Sequence, residues 1–214
     1  MKVIAFNGSP RKNFSTAVLL EKALEGAKAA GAETELVHLY DVDFKGCMSC
    51  FVCKVRNGKT YGRCAHRDGI LPYLEKAAEA DALIIGSPIY LGRTSGEASA
   101  FLERLIFPFI SYADYRTLAP RKSATAMIYT MNITEQEKND YGYDSHIKRN
   151  ESFMERTFGS CESLCSFNTL QGTEKDYEKF ELRGTFGEKI RYRNENFDND
   201  LQKAFALGGR LAGK

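Results

Sequence analysis

Three thiols, Cys47, Cys50 and Cys53, follow one another as C-x2-C-x2-C, and Cys64 comes after ten further residues. Overlapping x2 spacings let three thiolates grip three corners of one cluster, as ferredoxin-type loops do around [4Fe–4S]. Zinc sites more often draw on two separated C-x2-C pairs. Redox-active or free thiols need no metal at all. The spacing leaves these three readings open, with Cys47, Cys50, Cys53 and Cys64 as the candidate ligands. The gap through Asn57-Gly58-Lys59 leaves the place of Cys64 in the set unsettled.

A second stretch with chemical potential is Asn7 to Thr16, N-G-S-P-R-K-N-F-S-T. It lies between a short apolar run and a helix start. Ser9, Ser15 and Thr16 offer hydroxyls, Arg11 and Lys12 offer positive charge, and a helix start offers free backbone N–H groups. Together these suit a phosphate monoester dianion. It is neither a Walker loop nor G-x-G-x-x-G. A plain strand-to-helix turn with Ser15 as its cap would use similar residues. The third stretch is Gly86 to Gly92, G-S-P-I-Y-L-G. A Ser-Pro pair ending a buried strand makes a turn there. Ile89, Tyr90 and Leu91 then present apolar and aromatic surface beside free peptide groups, which suits a flat, polar-edged ring.

The elements that must carry these loops alternate. Lys2 to Phe6 and Ala82 to Gly86 read as fully buried strands, apolar on both faces. Thr34 to Leu39 and Ser123 to Thr130 read as two more strands. Leu164 to Leu170 is a weaker fifth. Helices are expected at Ser15 to Ala30, with Gly31 as the stop, and at Asp68 to Glu79, with Pro72 in the first turn. Others are expected at Thr94 to Phe107, where Glu97, Glu103 and Arg104 form the exposed face, and at Ser145 to Phe158. The segment from Gly172 onward reads as a charged tail ending in a helix at Asp198 to Leu211. Asp41 to Arg67 has no helical period, and a connection that long is functional or clamped. Strict alternation argues for a doubly wound α/β fold: a five-stranded parallel sheet in three αβα layers. Ligands of such sheets sit outside the strand carboxyl ends. Those are the places where the second and third stretches fall.

The pair G-S-P-R-K-N-x-S-T and G-S-P-I-Y-L-G resembles the NADPH-dependent FMN reductase family. Within it, the chain is most similar to flavodoxin-like flavoproteins with a cysteine-rich loop, typified by iron–sulfur flavoproteins. The resemblance covers about Lys2 to Thr130. It implies a flavodoxin-like fold over residues 1–172, interrupted by the cysteine-rich loop 41–67, with a C-terminal extension at 173–214. It implies FMN, with its phosphate held by Ser9, Arg11, Asn13, Ser15 and Thr16. Pro88, Ile89, Tyr90, Leu91 and Gly92 would line the flavin ring, and Thr130, Met131 and Asn132 would close its other side. Phe14 departs from the small residue usual in the family. NADH or NADPH is the implied reductant and a small molecule (flavin, quinone or similar) the acceptor. The alternative is an electron carrier fed by ferredoxin through a cluster at the four cysteines.

Net charge is +2 and hydrophobic residues make up 43% of the chain. That balance gives an ordinary core and no call for nucleic acid or a membrane surface. The first strand starts almost at the initiator Met, which leaves no room for a leader, so a cytoplasmic setting is expected. Cys161 and Cys165 are expected to pack in or near the last strand. His38, His66 and His146 form no metal pair, and Arg93 borders the ring loop. The helix from Thr94 runs into Pro108-Phe109-Ile110, an apolar stretch that suggests a homodimer.

Overall fold

The computed structural model describes residues 1–213. The first strand, β1 (Lys2–Asn7), is followed by α1 (Ser15–Ala29) and β2 (Glu33–His38). A long connection with two short 3-10 turns leads to α2 (Leu71–Glu79), β3 (Ala82–Tyr90), the short β4 (Arg93–Thr94), α3 (Gly96–Ile106) and β5 (Ser123–Thr130). Then come α4 (Glu135–Asp140), α5 (Asp144–Phe158), β6 (Gly159–Ser166), α6 (Glu174–Lys179) and α7 (Phe186–Ala212). Five strands form a parallel sheet in the order β2-β1-β3-β5-β6, and β4 pairs antiparallel with the end of β3. This is the flavodoxin-like order, with the topological switch between β1 and β3.

Alternation within each strand divides the core. Ile4, Phe6, Leu83, Ile85 and Met127 point to one face, under α2, α3 and α5. Val3, Ala5, Ile84, Ala126 and Ile128 point to the other, under α1 and α7. Helices α1 and α7 cross very closely. A Cβ on Gly208 would lie 1.7 Å from the Ala23 carbonyl oxygen, and one on Gly26 would lie 1.9 Å from that of Phe205. The two glycines let the backbones touch. No helix among the described residues is long and apolar enough to cross a membrane.

Three expectations are corrected. First, the chain does not turn at Ser87-Pro88. Strand β3 runs on to Tyr90, paired with β5 through Pro88↔Thr130. Pairing with β1 stops at Asn7↔Gly86, which frees an edge where a proline is tolerated. The turn comes at Leu91-Gly92, both with positive φ, as a two-residue hairpin needs. Second, the fifth parallel strand is Gly159–Ser166 rather than Leu164 to Leu170. Gly159 caps α5 in the left-handed region and turns it straight into the strand. Half-exposed Ser, Cys and Glu on an edge strand carry little apolar signal. Third, the C-terminal helix starts at Phe186, well before Asp198, behind a Thr185–Glu188 capping box. It buries Phe197, Ala204, Leu207 and Leu211. Cys161 and Cys165 lie in the last strand as expected, and burial pushes each thiol up to about 11, so both stay protonated.

Candidate functional site

The first half of the site is built where β1 hands over to α1. Asn7 is fully buried; its amide nitrogen lies 2.9 Å from His38 Nδ1, and its Oδ1 accepts the Ser9 N–H at 3.0 Å. Ser9 Oγ then accepts the Arg11 N–H at 3.2 Å. These side chains turn the loop without using the helix's own donors. Helix α1 opens at Ser15 with Phe14 at its N-cap, no side-chain cap and no acidic residue in the first turn. Its first N–H groups and the positive end of its dipole are therefore left for an anion. Ser15 and Thr16 supply hydroxyls at that point, and Thr16 Oγ1 lies 2.7 Å from Thr130 Oγ1, tying the helix start to β5. Arg11 stacks 4.8 Å from the Phe14 ring and donates to the Gln171 carbonyl. Arg193 of α7 donates to Ser15 Oγ at 3.2 Å, its guanidinium 3.8 Å from the Phe197 ring.

The second half is apolar and aromatic. Pro88, Ile89, Tyr90, Thr130, Met131 and Asn132 line the same pocket as Ser9, Arg11, Ser15 and Thr16. Thr169, Leu170, Gln171 and Leu182 complete the wall. Asn132 donates to Gln171 Oε1, while its own Oδ1 is buried without a partner. A buried orphan acceptor calls for a ligand that donates an N–H. The Lys189 ammonium, itself buried, donates to the Asn132 carbonyl at 3.2 Å and to Asn168 Oδ1, fixing this wall from behind. An anion seat at one end, an apolar slot with peptide groups at the other and an orphan acceptor between them fit FMN.

Of the residues expected here, the fold gathers ten in one pocket and leaves out three. Asn13 does not line it. Leu91 and Gly92 lie past its rim, at the hairpin tip, with the Leu91 side chain fully exposed. Gly92 carries positive φ, and a Cβ there would press on the Tyr143 ring at 3.1 Å, so the tip leans on that tyrosine. Sequence reasoning missed Gln171, and it missed Leu182, Lys189 and Arg193, which come from the stretch read as a tail. The one available signal was the spacing of Lys189 and Arg193, four apart and so on one helix face.

The cysteine loop folds over α3. Cys53 is buried, Cys47 and Cys64 are half-buried and Cys50 is exposed. Burial raises the Cys53 thiol and the neighbouring Lys54 ammonium opposes this, with the other three thiols of the loop adding to the rise. Lys54 is held by the carbonyls of Phe107 and Pro108 at 2.6 and 3.0 Å. Arg104, expected on an exposed face, is instead buried at 2% exposure. It donates to Asp68 Oδ2 at 2.8 Å, to the Lys45 carbonyl at 2.9 Å and to Cys64 Sγ at 3.1 Å. A guanidinium is buried only with such partners, and these come from a loop that helix periodicity cannot see. Burial works against the Asp68 charge, but Arg104 outweighs it and holds the carboxyl below its usual range. Arg104 at Cys64 and Lys54 beside Cys53 place two cations along this loop. Among the described residues no three His, Cys, Asp or Glu side chains converge closely enough for a single metal ion.

The chain is similar to several known proteins. An iron-sulfur flavoprotein of Archaeoglobus fulgidus is 40% identical over 104 residues, a stretch spanning 49% of this chain and 48% of that protein. Another from the same organism is 27% identical over 208 residues, covering 94% and 87%. Among solved structures, the NAD(P)H:quinone oxidoreductase from Methanothermobacter marburgensis shares the fold at a TM-score of 0.70. Its identity is 16%, with 99% of this chain and 96% of that one covered. Residues 1–142, which carry both the anion seat and the ring slot up to Asn132, match the family described as NADPH-dependent FMN reductase, and the chain belongs to that family.

Proposed function

We propose that the protein is an FMN-dependent oxidoreductase that draws electrons from NADH or NADPH and delivers them to a small acceptor such as a flavin or quinone. The observation that carries this reading is the uncapped start of α1, flanked by Ser15, Thr16, Arg11 and Arg193, at one end of an apolar pocket. Bound there, the flavin supplies the two-electron exchange between nicotinamide and acceptor. The chain's part is position and exclusion. Ser9, Arg11, Ser15 and Thr16 hold the phosphate, while Pro88, Ile89 and Tyr90 pack on the ring. Met131 and Asn132 meet its edge, and the Gln171–Leu182 wall keeps water from one side. No side chain is assigned as acid or base. The test is anaerobic mixing of the FMN-loaded protein with NADPH and with NADH. Rapid bleaching of the flavin bands by either is expected; bleaching by neither overturns the reading.

A second reading has its own support: Arg104 and Lys54 set beside the thiols of Cys47, Cys53 and Cys64, and the printed names of the relatives. On it, the loop holds a [4Fe–4S] cluster and the protein carries electrons from ferredoxin. Iron and acid-labile sulfide in protein purified without oxygen, together with bleaching by reduced ferredoxin alone, would select it. On either reading we expect a homodimer in the cytoplasm. Pro108 and Phe109 are buried in the chain's own core, so they supply no contact surface. The apolar groove between α3 and α5, with Leu102, Ile106 and Phe153, is the surface for a second copy. A light-scattering mass of 24.0 kDa, that of one chain, would rule the dimer out.

A further inference from the structure

The hairpin at the rim of the ring pocket has a second side. Pro88 to Tyr90 face the ring pocket, and Leu91 to Arg93 face another cavity, of about 420 Å3, between the hairpin and the turn that joins α4 to α5. That volume lies within the span usual for small-molecule sites, roughly 300–1,000 Å3. Arg93, Arg149, Tyr141, Tyr143 and His146 line it, and no carboxylate does. Asp144, next in the chain, is engaged by Lys138 at 2.7 Å and stays outside the lining. Neither arginine has an ion-pair partner among the described residues.

Both arginines share this lining with one imidazole, that of His146. Burial first, then Arg93 and Arg149, hold His146 below the usual histidine range, so the ring is neutral near pH 7. Its Nε2 accepts the Thr94 N–H at 3.0 Å and lies 3.1 Å from the Asn150 amide, which leaves the proton on Nδ1. The wall is therefore two arginines beside a neutral ring, with no carboxylate among the lining residues to offset them. Solvated surface arginines need no cavity; here the pair shares one, beside the Tyr141 and Tyr143 rings, whose centroids are 5.9 Å apart. An anion held between two guanidiniums, with a flat group on the tyrosines, completes the charge and fills the space.

We propose that this cavity binds the anionic, ring-bearing end of a co-substrate of the flavin site, with its phosphate, carboxylate or sulfonate between Arg93 and Arg149. This rests on the FMN-dependent reading above, since the shared hairpin is what lets one ligand reach both cavities. Two sources offer that chemistry, a phosphorylated nucleotide donor and an acidic aromatic acceptor.

The test is calorimetric titration of the parent, Arg93→Gln, Arg149→Gln and the double variant. The probes are 2′-phospho-ADP-ribose beside uncharged adenosine, and anthraquinone-2-sulfonate beside the neutral hydroxymethyl-anthraquinone. One anion should outbind its counterpart on the parent. Each single substitution should then weaken that anion about tenfold and the double about a hundredfold, collapsing its advantage. The pair of probes that responds names the source. The proposal is overturned if neither anion outbinds its counterpart, or if the substitutions leave the binding unchanged. FMN uptake is read on the same samples. A parent that takes up FMN but shows no arginine-dependent anion binding sinks this proposal alone. A parent that takes up no FMN sinks the functional reading, and the titration still decides the cavity.

Discussion

Arg193 gives the anion seat of this protein a residue that lies 178 positions from Ser15 in sequence. It donates to Ser15 Oγ and sits over Phe197, so its charge is already held where a phosphate would arrive. Charge-assisted hydrogen bonds of this kind are worth about 1.5–3 kcal/mol. Arg193→Gln should therefore raise the FMN dissociation constant roughly tenfold or more, read by flavin fluorescence quenching, while the melting temperature moves little. Arg104 makes a different prediction. Its Asp68 partner is 14% exposed and it is itself 2% exposed, so Arg104→Leu strands a mostly buried carboxylate. A loss of about 3 kcal/mol in urea unfolding is expected. The Asp68 value is lowered in the folded chain, so the pair's stabilisation is complete above the ordinary aspartate value of 3.8. It is lost as the pH falls below that, through the lowered folded value. The stability gap between parent and variant should close in acid. At this scale the sequence spoke clearly for Ser9, Arg11, Ser15 and Thr16, whose loop follows an apolar strand, and for Tyr90, which ends another. It put Arg104 on an exposed face and passed over Lys189 and Arg193, because each takes its role from a partner far along the chain.

At the scale of elements, the crossing of α1 and α7 carries the heaviest constraint. Gly208→Ala puts a methyl group into the Ala23 carbonyl, and helix backbones cannot yield as a side chain can. The substitution should cost 3 kcal/mol or more, measured by denaturant unfolding. Gly209→Ala is its control: the nearest heavy atom to the new Cβ is 3.8 Å away, and alanine is the better helix former by about 1 kcal/mol. The neighbour should therefore be neutral or stabilising. Strong local patterns made most elements legible, since Val3 to Phe6, Leu83 to Ile85 and Ala126 to Ile128 are apolar on both faces. The elements that were misread lacked that signal. Strand β6 is an edge, and the first half of α7 is polar because it faces loops and solvent. The run of β3 past Pro88 depends on β1 ending early, a fact of register and not of composition.

For the whole molecule, one arrangement explains several features at once. The sheet's switch point lies between β1 and β3, and the loops after β1, β3 and β5 meet there. Helix α7 returns to support both ends of that pocket, with Arg193 at the anion seat and Lys189 behind Asn132. The cysteine loop lies over α3, with Met48, Phe51, Val52 and Val55 exposed, an apolar surface on a segment otherwise pinned by Arg104 and Lys54. The central claim is that the β1–α1 loop and the slot beside it hold one FMN. The measurement that tests this most directly is an equilibrium titration of FMN against riboflavin, with the parent and with Thr16→Val. One FMN per chain is expected, with riboflavin at least tenfold weaker and the gap narrowed in the variant. Equal affinity for the two flavins, or no saturable uptake of FMN, would contradict the account.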